Sequence, residues 1–276
     1  MKHDPGAFRQ LFELTGRTAV VTGGAGILGE VFCAALADHG AQVAVVDVDG
    51  ARAEEHASRL HAVYGPAAIG VACDVADPAA VVAMADEVEE RLGPISILHN
   101  NAAAKPRDLR GYFAPMEEAR LDIWREVMQV NLDGMFIVAR EVGARMATRG
   151  TGSIIQTASI YGALAPDFRI YEGSDYLGGP ITTPAVYSAS KAGVIGLTRH
   201  LASYWAEAGV RVNTLVPGGV RSGQNEEFLR RYSARIPLGR MAESTEMAGA
   251  LLYLASDASS YVTGQELKVD GGLSAW

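Results

Sequence analysis

The chain is poor in the residues that build metal centres and disulfide frameworks. Its 276 residues include two cysteines, Cys33 and Cys73, and six histidines. Each cysteine falls in an apolar segment and the histidines are scattered without ligand spacing, so neither a disulfide nor a metal site is expected. Positive charge is also short. Lys and Arg number 24 against 32 Asp and Glu, a net charge of −8, and no long basic run occurs. This argues against nucleic acid or an anionic membrane surface as the main partner. No apolar run approaches the roughly 20 residues that cross a bilayer. The first residues lack the basic-then-apolar pattern of a secretory signal. A cytoplasmic protein is the expectation.

What the chain does have is enough apolar material for a large core. Hydrophobic residues make up 49% and charged residues 20%, which argues against disorder. The length fits one large α/β domain, and no linker, repeat or low-complexity tract divides residues 1–276. Short runs rich in Val and Ile alternate with longer stretches of helical period. Candidate strands are 18–22, 42–47, 68–73, 95–99, 153–157, 210–216 and 266–269. Candidate helices are 28–39, 51–63, 78–92, a broken 117–149, 187–208, 223–235 and 243–256. Strand runs that are apolar on both faces imply a parallel sheet covered on both sides. The alternation predicts an α/β fold, a doubly wound sheet of about seven strands, with ligands outside the carboxyl ends of the strands.

The first candidate strand runs into Thr22-Gly23-Gly24-Ala25-Gly26-Ile27-Leu28-Gly29. Glycines there permit a tight turn and close approach to a pyrophosphate, and the next helix presents free N–H groups and its positive dipole end. The cluster could be only a tight turn, but its place in a strand–helix–strand unit favours a dinucleotide. Asp47 ends the second strand. Its carboxylate either is simply solvated or accepts both adenosine ribose hydroxyls, where it would repel a 2′-phosphate. The glycine loop carries no Arg or Lys to attract such a phosphate, so NAD is preferred to NADP.

Asp74 follows the third strand, and Asn100-Asn101-Ala102-Ala103 follows the fourth. The two amides suit a turn beside a cofactor or a purely structural turn. Asn131 lies mid-way along the long helical region, where Asn competes for backbone hydrogen bonds, so a kink is expected. Val216-Pro217-Gly218-Gly219-Val220 stops the sixth strand, and its backbone could hold a carboxamide. Ser222 is a candidate phosphate or amide contact. Tyr187 and Lys191 are four residues apart, on one face of a helix. An ammonium beside a phenol favours the phenolate. At ~5 Å and an effective dielectric of ~20 the attraction is roughly 3 kcal/mol, or about two pKa units. The spacing by itself also fits an ordinary exposed pair.

Taken together, these residues resemble the short-chain dehydrogenase/reductase family, in its compact form of about 250 residues. The likeness covers roughly 16–272. It rests on Thr22-Gly23-x-x-Gly26-x-x-Gly29, Asp74, Asn100-Asn101-Ala102, Asn131, Ser159, Tyr187-x-x-x-Lys191, Pro217-Gly218 and Val269-Asp270-Gly271-Gly272. The resemblance implies a single Rossmann-like NAD(P)-binding domain. It implies Tyr187 as the acid/base, Ser159 bonded to the same substrate oxygen, Lys191 on the phenol and the nicotinamide ribose, and Asn131 holding a relay water. Gly23, Gly26, Ile27, Leu28, Gly29 and Asp47 would face the adenosine half. Asp74 and Val75 would face the adenine, and Asn101 and Ala102 the nicotinamide ribose. Pro217, Gly218, Val220 and Ser222 would lie at the carboxamide side. A homotetramer or homodimer is likewise implied.

Three departures stand out. The middle glycine of the loop, Gly26, falls one residue early, so a slightly different loop path is expected. Ala103 replaces the usual glycine. And 27 residues separate Ser159 from Tyr187, where about a dozen are usual. The extra residues, within 163–186, begin and end at the site. They suggest a substrate flap with Asp167, Arg169, Tyr171 and Glu172 turned toward a polar substrate, or else a contact with a neighbouring subunit. Aromatics such as Phe168 and Tyr176, with Leu177, would let the segment pack. Arg221 could bind a substrate carboxylate or lie in solvent. The expected activity is NAD-dependent interconversion of a secondary alcohol and a ketone on a sugar, polyol or sugar acid. The alternatives are a 3-oxoacyl-thioester reductase and a non-catalytic nucleotide-binding protein.

Overall fold

The structure is a computed structural model that describes residues 6–276 apart from Leu177; the packing expected of Leu177 lies outside the described residues. Strands β1 (Thr18–Thr22), β2 (Gln42–Asp47), β3 (Ala68–Ala72), β4 (Ile95–Asn100), β5 (Gly152–Thr157), β6 (Val210–Pro217) and β7 (Glu266–Val269) form one sheet. Their order is 3-2-1-4-5-6-7 and every pairing is parallel. The order reverses between β1 and β4, the position where doubly wound sheets open a ligand crevice.

Alternation along the strands explains their unbroken apolar runs. Val20, Ala44, Val46 and Ile154 face one core; Ala19, Val21, Val45 and Ile155 face the other. The first core is covered by α3 (Pro78–Leu92), α5 (Met135–Arg149) and α6 (Ala185–Tyr204). The second is covered by α1 (Ile27–Asp38), α2 (Gly50–Tyr64) and α8 (Ala248–Ala255). Two further helices are α4 (Leu121–Met128), which packs on α6, and α7 (Glu226–Ser233), which packs on the 3₁₀ turn at 168–171. Asp side chains start several of these helices. Asp49 accepts from Arg52 N at 3.1 Å and Asp77 from Ala79 N at 2.8 Å, with Pro78 in the first turn.

The break expected in 117–149 is a π-helical turn, Gln129–Gly134, between α4 and α5. Asn131 sits inside it, 1% exposed, and its Oδ1 accepts the Ala104 N–H at 2.9 Å. The wider turn thus pins the loop that follows β4. The 163–186 segment is ordered by its own contacts. It contains a 3₁₀ turn, Phe168–Tyr171, and a small hairpin pairing Asp175–Tyr176 with Gly179–Pro180. Ile170 is buried against Tyr232, Ile236 and Met241.

Candidate active site

A cavity of about 840 Å³ opens along the carboxyl ends of the strands. Every residue read from the sequence as facing a cofactor lines it, except Ser222. The glycine loop makes its floor. Gly23 has φ +63°, a left-handed conformation that side chains disfavour. A Cβ on Gly29 would stand 2.1 Å from the Gly23 carbonyl oxygen, so α1 can start this close to the loop only with glycine there. Gly26 is extended (φ −85°), donates to Gly23 O at 3.1 Å and leads into α1. The early middle glycine therefore still delivers the helix N-terminus to the cavity.

The rest of the wall is held by short polar bonds. Thr22 Oγ1 accepts the N–H groups of Asn101 (2.9 Å) and Ala102 (3.1 Å) and donates to Asn100 Oδ1 (3.1 Å). Asn101 also donates its amide to Thr22 O. One buried hydroxyl thus clamps the turn after β4 to the glycine loop. Asp74 Oδ1 accepts the Ala76 N–H at 2.9 Å, shaping the turn after β3. Asp47 accepts from Ala25 N and from Asp49 N, each at 3.2 Å. Next to it Arg52 donates to Ala25 O and lines the cavity. The glycine loop itself has no cation, but the first turn of α2 brings one to the same place. Sequence order hid it, because Arg52 belongs to a different element.

Ser159, Tyr187 and Lys191 come together at the inner end of this cavity. Ser159 follows β5, is 7% exposed and accepts the Tyr161 N–H at 3.3 Å, so it caps the short helix Ile160–Ala163. Tyr187 and Ser159 both line this cavity and the one beside it. Lys191, one turn further along α6, is 2% exposed and donates from Nζ to Thr157 O at 2.9 Å. Burial lowers its pKa from 10.5 to about 8. The depressed phenol expected from the Tyr–Lys spacing is corrected here. Burial raises Tyr187 above its ordinary value and the Ser159 hydroxyl only partly offsets it. Lys191 is fully withdrawn from water and Tyr187 partly so, and that penalty on each charged form is the largest effect. Asn131 lines neither of the two cavities that meet here.

The second cavity, of about 580 Å³, shares Ser159, Tyr187, Lys105, Gly218 and Val220 with the first. Six of the ten tyrosines of the chain line it: Tyr112, Tyr161, Tyr171, Tyr176, Tyr187 and Tyr232. Tyr161, Tyr171 and Tyr232 pack in one cluster, and the Tyr171 hydroxyl bonds Thr183. Burial pushes Tyr232 up to about 12 and raises Tyr161 and Tyr171 as well, so all three stay neutral donors and acceptors.

Of the five substrate candidates, Tyr171 alone lines this cavity. The charged four are engaged elsewhere. Asp167 pairs with Arg169 at 2.7 Å and with Arg235, which hold it down to about 2. Glu172 pairs with Arg231 at 3.0 Å, and Arg221 with Glu243 at 3.1 Å. Asp167 and Glu172 thus fasten the 163–186 segment to α7 and the residues just after it, while Tyr171, Asp175 and Tyr176 line the cavity. Ser222 lines the second cavity, tied to Gln224 at 3.0 Å. Lys105, Tyr112, Tyr161, Thr182, Thr183, Asn225 and Tyr232 line it too. They come from four separate stretches, and no periodicity or spacing marks them. Among the described residues no cluster of His, Cys, Asp or Glu could hold a metal ion, and no helix is long and apolar enough to cross a membrane.

A family model described as enoyl-(acyl carrier protein) reductase matches residues 23–274. The D-threitol dehydrogenase of Mycolicibacterium smegmatis is 37% identical over 269 residues, 95% of this chain and 94% of that one. The chain belongs to the short-chain dehydrogenase/reductase family. Galactitol 2-dehydrogenase (L-tagatose-forming) of Cereibacter sphaeroides, another family member, is 37% identical and covers 98% of this chain and 99% of that one. The crystal structure of a gluconate 5-dehydrogenase from Burkholderia cenocepacia, in complex with NADP and tartrate, has a TM-score of 0.85 at 36% identity. It covers 97% of this chain and 98% of that one. As a member of this dehydrogenase/reductase family, the protein is an NAD(P)-dependent oxidoreductase with the family's parallel sheet.

Proposed function

We propose that the enzyme interconverts a secondary alcohol and a ketone on a polyol, sugar or sugar acid, using NAD in preference to NADP. One observation carries this reading: Ser159 and Tyr187 stand where a dinucleotide-sized cavity meets a second cavity walled by tyrosines. Aromatic faces suit the C–H side of a carbohydrate and hydroxyls suit its O–H groups. The threitol and galactitol dehydrogenases among the relatives support the same class.

The glycine floor and the N-terminus of α1 fit a dinucleotide, since a Cβ at Gly29 would fill the space that the loop backbone occupies. Bound there, a nicotinamide dinucleotide supplies the acceptor or donor of the hydride. The remaining work belongs to the protein. Ser159 holds the substrate oxygen through its hydroxyl. Tyr187, which lines the same two cavities as Ser159, exchanges the proton with that oxygen. A neutral phenol is the form that donates during ketone reduction. During alcohol oxidation the positive charge of Lys191, one helical turn away, favours the phenolate. Asn131 acts through the backbone, fixing Ala104 at the edge of the site. Asp47 favours the two ribose hydroxyls of NAD over a 2′-phosphate, and Arg52 beside it leaves NADP a weaker foothold. Exposed Leu121 on α4 and Phe136 on α5 fit a homodimeric or homotetrameric contact, and a cytoplasmic setting suits the free, buried cysteines.

The test is reduction of NAD and of NADP by purified enzyme across polyols, sugars, sugar acids and hydroxyacyl thioesters. Turnover of polyols or sugar acids, faster with NAD, is expected. Reaction with thioesters alone sinks the carbohydrate reading.

A further inference from the structure

The wall around Ser159 and Tyr187 is nearly free of charge. It offers hydroxyls from Tyr and Thr, with amides from Gln224 and Asn225. The charged residues that line it are one cation, Lys105, and one carboxylate, Asp175. Around this cavity most other charges are neutralised: Asp167, Glu172, Arg221, Arg231 and Arg235 all have ionic partners. Lys105 differs. Among the described residues no carboxylate lies within ion-pair distance of its ammonium.

Its position is nonetheless fixed from two sides. The preceding residue, Ala104, is held through its N–H by the buried side chain of Asn131 in the π-turn. The ammonium itself stands 5.9 Å from the centre of the Tyr176 ring, and that ring meets Phe113 edge-on at 6.3 Å. A weak contact with an aromatic face places the charge without neutralising it. Lys105 also lines both cavities, so its charge is available to a molecule that reaches Ser159 and Tyr187.

We propose that Lys105 is a specificity-determining residue that binds the carboxylate of a polyhydroxy acid, so that the preferred substrate is a sugar acid rather than a neutral polyol. The proposal rests on the carbohydrate reading above and narrows it. A carboxylate at Lys105 gains a charge-assisted hydrogen bond; a primary alcohol in its place gains at most a neutral one. The hydroxyl-rich wall then receives the rest of the chain.

The experiment compares two pairs of compounds that differ only at one end: gluconate with glucitol, and galactonate with galactitol. In Lys105→Met, KM for the acids rises about tenfold while kcat and the values for the polyols stay within twofold, since a charged hydrogen bond of this kind is lost from ground and transition states alike. Lys105→Arg restores most of the loss. Equal changes for acids and polyols overturn the proposal. So does a fall in NADH affinity of Lys105→Met, read by fluorescence titration, because that places the charge on the cofactor. Wild-type enzyme that oxidises the polyols but neither acid overturns the proposal and leaves the carbohydrate reading standing. Wild-type enzyme that oxidises neither class removes the carbohydrate reading itself.

Discussion

Lys191 donates from Nζ to the carbonyl oxygen of Thr157 at 2.9 Å, which ties the buried ammonium to the strand that carries Ser159. The side chain of the same Thr157 bonds His99 Nε2 at 2.8 Å, in the neighbouring strand β4. The end of β5 is thereby held from α6 and from β4 at once. Ser159 follows two residues later and lines the same cavity as Tyr187, so the reacting groups inherit the rigidity of three elements.

Tyr187→Phe keeps the ring and removes the hydroxyl that stands beside Ser159 in the cavity. We expect kcat to fall by about 10³-fold or more, the scale of a lost proton-transfer group. NADH affinity, measured by fluorescence titration, stays within twofold. Turnover that survives the substitution removes Tyr187 from the proton step.

Lys191 carries a stability cost that depends on pH. Its pKa falls from 10.5 to about 8 on burial. Between those values the unfolded chain binds more protons than the folded one, so this group makes stability rise as pH rises from about 8 to 10.5. Below pH 8 the full cost is present, up to about 3 kcal/mol. Lys191→Met should therefore be more stable than wild type at pH 7 in urea unfolding, with the gap closing toward pH 10.5, although it is inactive. A constant gap across that range contradicts the buried charge.

His99 works in the opposite pH range. It is fully buried, and burial lowers its pKa from 6.5 to about 3. Between pH 6.5 and 3 the unfolded chain takes up the proton that the folded chain refuses, so stability is lost as pH falls through that window. The loss is of the order of 4 kcal/mol by pH 3. In His99→Leu the pH dependence flattens by that amount, whatever its stability at pH 7. Acid-unfolding curves of the two proteins with parallel slopes would falsify this.

At the other end of the cofactor cavity, Asp47→Ser removes the carboxylate that opposes a 2′-phosphate and leaves Arg52 in place. The NADP/NAD ratio of kcat/KM should rise at least tenfold, the effect of roughly 1.4 kcal/mol. Asp47→Ser combined with Arg52→Ala should lose most of that gain. A wild-type enzyme that already prefers NADP contradicts the role given to Asp47.

The strands were legible because burial on both faces leaves long Val- and Ile-rich runs, and β1 and β2 appear at their expected residues. The kink was legible from Asn131, an amide poorly suited to the middle of a helix, and the structure realises it as a π-turn. The charged residues of 163–186 were legible only as polar. Whether Asp167 and Glu172 face a substrate or an arginine depends on Arg231 and Arg235, more than 50 residues along the chain. The net direction of the Tyr187 pKa was misjudged for a related reason: spacing shows that two groups are close, but not how much water each has lost.

By itself the sequence determined the alternation of strands and helices, the glycine turn, the strand-end Asp47 and the presence of Ser159, Tyr187 and Lys191. These follow from local rules: periodicity, turn chemistry, and residues one helical turn apart. The tertiary structure alone decided what stands beside them. It brought Arg52 to Asp47, gathered six tyrosines from separate segments around one cavity, drew Asp167, Arg169 and Glu172 into ion pairs away from it and, among the described residues, left Lys105 without an ion-pair partner at its edge. The physical reason is that pairing and desolvation depend on distance in space, and distance in space is set only when all the elements have packed.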